Sequence, residues 1–96
     1  MVGRAILSHP DDNVAVATVE LAPGEEIEVV ADSGRTQWVV ARQHIPRWHK
    51  FALECISPGN EVTRYGVVIG RATQSIGAGE HVHVHNLIGL DDRDSE

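Results

Sequence analysis

Three segments of this chain follow one template, Ala-x-x-x-[Leu/Ile]-x-[Pro/Ala]-Gly-x-x-[Ile/Val], and few architectures accommodate such a pattern. The copies occupy residues 17–27 (ATVELAPGEEI), 52–62 (ALECISPGNEV) and 72–82 (ATQSIGAGEHV). Each is expected to form a single helical turn or irregular bend with its Ala and Leu/Ile packed inward. A tight turn follows, with Gly24, Gly59 or Gly79 at positive φ, and then a strand. The starts lie 35 and 20 residues apart, too uneven and too few for a stacked solenoid. A compact, pseudo-symmetric all-β body with short irregular helical turns is the expected fold.

The remaining pattern agrees. Short runs rich in Val and Ile read as strands: Ala5-Ile6-Leu7, Ile27-Glu28-Val29-Val30, Trp38-Val39-Val40-Ala41, Tyr65-Gly66-Val67-Val68-Ile69 and Val82-His83-Val84. Turn formers separate them, including His9-Pro10-Asp11-Asp12-Asn13, Asp32-Ser33-Gly34 and Pro58-Gly59-Asn60. Ninety-six residues make one small domain with a modest core, so a partner surface would help it. Residues 1–89 are expected to form that domain. Residues 90–96 hold four acids against Arg93 and read as an acidic flexible tail.

Charge and cysteine usage exclude several classes. With 8 basic and 14 acidic side chains the net charge is −6, and the basic residues are scattered, which argues against nucleic acid. The single Cys55 cannot form an internal disulfide, so a cytoplasmic location is expected, with Cys55 a small buried apolar residue. No apolar run approaches the ~18 residues of a membrane span, and no membrane role is expected.

Chemistry concentrates in two places. His81-Val82-His83-Val84-His85 alternates, and on a strand all three imidazoles share a face with adjacent Cα atoms about 6.6 Å apart. Two of them can converge on one metal ion or small ligand. The outer two, about 13 Å apart, cannot readily share one with the third. A metal site would therefore use two, His81 and His83 for example, plus His49 or His44. A solvated or partner-facing histidine row would look the same. The second place is His44-Ile45-Pro46-Arg47-Trp48-His49-Lys50, whose Arg47, His49 and Lys50 suit an anionic small molecule or, more plainly, a solvated loop. Trp38 and Tyr65 read as core aromatics, Tyr65 with its hydroxyl at the rim, whereas Trp48 reads as a cap over the site or a partner contact. No nucleophile elbow, phosphate-binding loop, cysteine pair or dinucleotide fingerprint is present.

Three ordered motifs carry a family resemblance: Ile45-Pro46-Arg47-Trp48-His49-Lys50-Phe51-Ala52-Leu53, Tyr65-Gly66-Val67-Val68-Ile69-Gly70-Arg71-Ala72-Thr73, and Gly79-Glu80-His81-Val82-His83-Val84-His85-Asn86. Together with the opening His9-Pro10-Asp11-Asp12-Asn13, they make residues 5–87 closely resemble the altronate and galactarate dehydratase family. The resemblance is to its SAF-type β-clip domain, which occurs as the N-terminal part of those enzymes or as a separate small subunit, as in sulfolactate sulfo-lyase. It implies a lyase that eliminates water from a sugar acid to give a 2-keto-3-deoxy acid, or sulfite in the sulfo-lyase. A divalent metal, Fe2+ or Mn2+, would assist, held here or mainly by a large catalytic subunit without which the chain would be inactive.

By position, His49 and Lys50 fall on the family's His-Lys pair and His81, His83, His85 and Asn86 on its histidine-rich terminal strand; spacing and charge then suggest acid/base roles for His49, Lys50, His83 and His85, and substrate contacts for Arg47, Lys50, Tyr65 and Asn86. They suggest metal contacts for His81 and His83. The family usually has Gly where this chain has Trp48, which bears on that turn's backbone or on the space over the site. Two other readings stand beside this one: a non-catalytic SAF-type module binding a sugar or other ligand, and a metal-handling protein using the histidine row. Homo-oligomerisation through an exposed strand edge is also compatible with a small β-domain.

Overall fold

All nine inward positions of the three copies are buried: Ala17, Leu21 and Ile27, then Ala52, Ile56 and Val62, then Ala72, Ile76 and Val82. Gly24, Gly59 and Gly79 take φ of 89°, 85° and 85°. Between the Ala and the Leu/Ile the chain bends without helical hydrogen bonding, so the expected helical turns are irregular bends.

There is also a fourth copy. Residues 41–51 bury Ala41, Ile45 and Phe51 at the same three positions, and Trp48 stands in the glycine position with φ 71°. The copies interlock two by two. Leu21 and Ile45 exchange backbone N–H···O bonds of 2.9 Å, while the Gly24 N–H donates to Ala41 O and the Trp48 N–H to Ala17 O, both at 2.7 Å. The second pair repeats this: Ile56 and Ile76 exchange bonds, and Gly59 and Gly79 donate to Ala72 O and Ala52 O at 2.8 Å. This reciprocity is an approximate two-fold within each pair. It also explains Trp48: the turn that presents its N–H to Ala17 requires a left-handed residue whatever the side chain.

The computed structural model describes residues 2–89, which form nine strands and no helix; no helix is therefore long and apolar enough to cross a membrane. The strands are β1 (Gly3–Leu7), β2 (Val14–Ala17), β3 (Glu26–Ala31), β4 (Thr36–Val40), β5 (Lys50–Ala52), β6 (Glu61–Arg64), β7 (Val67–Ala72), β8 (His81–Val82) and β9 (Leu87–Gly89). Six of them form a sheet in the order β4-β3-β1-β2-β5-β8, and β6-β7-β9 form a second. Only β1 and β3 run parallel; every other pair is antiparallel. The architecture is all-β, as expected of an SAF-type β-clip domain. Each interlocked pair of copies has its own core, one around Leu21, Ile27, Ile45 and Phe51 and the other around Ile56, Val62, Ile76 and Val82. Burial of each such side chain contributes about 1.5–3 kcal/mol. The expected tail, residues 90–96, lies outside the described residues.

Three placements differ from the sequence expectation. Trp38 is 56% exposed, because β4 is an edge strand and Trp38 pairs with Glu28 on the outer face while Val39 packs against the core. Cys55 is exposed, lying in the outward part of its bend. Tyr65, 62% exposed, does not open a strand; with Gly66 it forms the two-residue turn between β6 and β7, both at positive φ (57° and 72°).

That turn is clamped by a segment some fifty residues away in sequence. The buried Asp12 carboxylate accepts from the Tyr65 N–H (3.0 Å) and the Gly66 N–H (2.9 Å). Beside it, the Asn13 amide accepts from the Thr63 N–H and donates to Glu61 O. Asp12→Ala is expected to lower stability by about 2–4 kcal/mol, since two charge-assisted bonds are lost and two amides are left without partners. A urea midpoint unchanged from that of the parent chain would refute the clamp.

A candidate histidine centre

Strand β8 brings His81 opposite Phe51, so His81 stands beside the turn that carries His49. The His81 N–H is fixed by the Gln43 side chain at 2.9 Å. The strand then stops at Val82, and the expected alternation does not continue. Asn86 ends it: its side-chain oxygen accepts from the His83 N–H (2.9 Å), its amide donates to His81 O (2.8 Å), and its own N–H donates to His83 O (3.0 Å). The resulting turn curls His83 back toward His49. Asn86 is buried with both ends of its amide occupied by backbone, so here it positions the histidines.

Three imidazoles converge. One ring nitrogen from each of His49, His81 and His83 lies within 4.8 Å of the others. His49 Nδ1 and His81 Nε2 are hydrogen-bonded at 2.9 Å, and the His49–His83 and His81–His83 ring centroids are 4.6 and 5.4 Å apart in near-parallel stacks. His85 stands next to His81, its centroid at 5.4 Å, and is exposed. His44 is elsewhere, bonded to Glu20 at 2.7 Å, so His49 is the third member.

Two of the three imidazoles are biased toward the neutral form. Desolvation, then the neighbouring His49, His85, His83 and Lys50, lowers the His81 pKa to about 4. The same kinds of influence, desolvation first, lower that of His83. Lys50 is lowered too, by burial and then by the charge of Arg64. The guanidinium acting on Lys50 is thus Arg64's. Arg47 instead lies over the Trp48 ring, 4.7 Å from its centroid. Arg64 stacks on Tyr65 at 4.6 Å and donates from Nη2 to the Tyr65 hydroxyl (3.1 Å), while its Nε is buried without a partner. Arg64 was not singled out from the sequence, and its only signal there is its place before Tyr65.

A pH dependence follows for the metal-free chain. His81 binds its proton less tightly folded than unfolded, so the unfolded state takes up more protons between pH ~6.5 and about 4. Stability should therefore be full above pH 6.5 and fall as the pH drops toward 4. The expected loss is about 1 kcal/mol, reduced by solvent screening of a part-exposed ring. His81→Asn should flatten this part of the urea-midpoint profile; an unchanged slope would contradict the assignment.

The whole of this geometry falls inside one recognised unit: residues 3–89 match the model of the altronate/galactarate dehydratase SAF domain. The chain belongs to that family. It is similar to altronate dehydratase of Escherichia coli (strain K12), with 49% identity over 78 residues covering 81% of this chain and 15% of that protein. Altronate dehydratase of Bacillus subtilis (strain 168) is 37% identical over the same shares. The chain thus spans about 15% of the altronate dehydratases it matches. Against (2R)-sulfolactate sulfo-lyase subunit alpha of Chromohalobacter salexigens it is 38% identical over 85% of this chain and 89% of that subunit.

For this SAF domain the donor set can be tested directly against a divalent metal. Three imidazoles with a fourth side open match the three-ligand arrangement of catalytic sites, in which neighbouring ligand nitrogens stand about 3.3 Å apart. The trio brackets that spacing, and replacing the His49–His81 hydrogen bond by two metal–nitrogen bonds requires little movement. Neutral imidazoles suit iron or zinc better than the oxygen-preferring manganese.

Proposed function

We propose that this SAF domain completes the active site of a metal-dependent lyase, acting with a larger catalytic polypeptide to eliminate water from a sugar acid such as altronate or galactarate. The observation that carries this reading is the convergence of the His49, His81 and His83 ring nitrogens, beside Lys50 and Arg64. Such a reaction removes the proton from the carbon next to the carboxylate and expels the hydroxyl of the following carbon as water. The enol that remains becomes the 2-keto-3-deoxy acid.

His49, His81 and His83 would hold Fe2+, which when bound stabilises negative charge developing on the substrate's oxygens. Arg64, with Lys50, holds the substrate carboxylate. Lys50, whose ammonium is weakened by burial and by Arg64, and His85, at the open edge of the trio, are the groups that move protons.

One observation favours a second leaving group. The chain is 38% identical to a (2R)-sulfolactate sulfo-lyase subunit over 89% of that subunit, which supports elimination of sulfite as the alternative.

The test is co-purification of the tagged chain from its own host, followed by elimination assays on altronate, galactarate and (2R)-sulfolactate with Fe2+ or Mn2+. A large polypeptide together with release of a 2-keto acid is expected. A chain that emerges alone and inert, yet binds a sugar acid in calorimetry, would replace this reading with that of a binding module.

A further inference from the structure

Among the described residues only two non-glycine positions have positive φ, Trp48 at 71° and Tyr65 at 57°. Both are aromatic and both are mostly exposed, 59% and 62%. Each ring carries the guanidinium of the preceding residue, Arg47 over Trp48 and Arg64 over Tyr65. A bulky residue in the left-handed region costs about 1–2 kcal/mol relative to an ordinary backbone, and burial of these rings does not return that cost. The isolated domain would be better served by other residues. At Trp48 the other three copies use Gly, and at Gly24 and Gly59 a side chain would meet only open space. At Tyr65 the turn type prefers Asn before Gly.

The two pairs bracket the histidine centre. His49 follows Trp48, and Arg64 lies close enough to Lys50 to act on its charge, as Lys50 does on His81 and His83. Val84, between His83 and His85, is 83% exposed. The ion pairs among the described residues are Arg4–Glu28, His9–Asp11 and His44–Glu20, so Arg47, Lys50 and Arg64 have no carboxylate partner. Exposed Trp, Tyr and Arg are the residue types that dominate binding energy at protein interfaces.

We infer that the Trp48 and Tyr65 rings, with Arg47 and Val84, are docking anchors that seat the histidine centre on the larger lyase polypeptide, whose matching surface offers apolar pockets, with a carboxylate facing Arg47. This rests on the reading given under Proposed function. It commits to that polypeptide because the altronate dehydratases contain about six times more chain than the matching segment, and the sulfo-lyase relative is a named subunit of an assembly.

Trp48→Gly and Tyr65→Asn separate docking from structure, because relief of strain and loss of an anchor move in opposite directions. Each is expected to raise the Tm of this chain by about 4–8 °C. Each is also expected to weaken binding to the purified large polypeptide from the co-purification at least about tenfold, measured by titration calorimetry. Trp38→Gln, at the far edge of the six-stranded sheet, should leave binding within about twofold. Variants that bind as tightly as the parent, or that melt at lower temperature, would overturn the inference. So would self-association of the parent chain that both variants abolish, since a second copy would then be the occupant. A complex that forms and weakens as expected but eliminates nothing from any of the three acids would leave docking standing while the lyase reading fell.

Discussion

Gly79→Ala is expected to unfold this domain, or to bring it close to unfolding, while the same change at the equivalent Gly24 and Gly59 is tolerated. The three residues occupy one position of the repeat and share φ near 85–89°, so an added methyl carries the same conformational penalty at each, about 1–2 kcal/mol. What differs is the space. At Gly24 and Gly59 a Cβ would meet nothing within 4 Å, whereas at Gly79 it would stand 2.0 Å from Val40 O and 3.1 Å from Val40 C. Those are backbone atoms of the segment leading from β4 into the hidden fourth copy. They cannot retreat without breaking the Arg42 N–H bond to Gly79 O and the Gly79 N–H bond to Ala52 O. A loss of about 4–5 kcal/mol or more is therefore expected at Gly79, comparable with the whole stability of a small domain. Equilibrium urea unfolding of the three variants decides it, and a Gly79→Ala midpoint matching that of Gly59→Ala would remove the steric account.

The contrast shows how far the repeat could be read. Its inward residues and its glycine turns were legible because both follow from local chemistry: small and branched apolar residues at fixed spacing, and a position that only Gly occupies without strain. The fourth copy was not legible, because Trp48 and Phe51 depart from the template at its two most diagnostic places. Its backbone is nevertheless imposed by the reciprocal bond from the Trp48 N–H to Ala17 O, a contact with a segment far away in sequence. Strands β2, β5 and β9 were not among the apolar runs read as strands, because each is short and defined by its pairing with segments distant in sequence. The strand expected after Gly59 is β6, and the Asp12–Asn13 clamp, some fifty residues away in sequence, secures it.

The site was legible as a composition and not as a shape. Alternation of His81, His83 and His85 suggested one face of a strand, and the fold brings two of them, His81 and His83, together with His49. The strand itself does not last, because Asn86 satisfies the His83 and His81 backbone groups with its side chain and ends the pairing at Val82. Arg47 and Arg64 exchange the expected places for a tertiary reason: the charge near Lys50 comes from β6, and Arg47 turns outward onto Trp48. No local pattern distinguishes those two arginines.

On the proposed lyase reading, His49→Ala and His83→Ala in the complex with the larger polypeptide are each expected to lower the elimination rate about 10²–10⁴-fold, the range for loss of a group acting directly on the reacting centre. Each change removes one of three converging nitrogens, and two imidazoles hold a divalent ion far less well than three. The metal content of the purified complex should fall in parallel with the rate. That readout separates loss of a ligand from loss of a proton carrier: His85→Ala should slow elimination with the metal retained, since His85 touches only the edge of the trio. Both substitutions spare the fold, because His49 and His83 are only partly buried and neither belongs to the two apolar cores. His44→Ala supplies the control, with its imidazole committed to the exposed Glu20 and away from the centre. If rate and metal content survived at His49 and His83 alike, the trio would be a stacked structural cluster, and the acid, base and metal of the reaction would all have to come from the larger polypeptide.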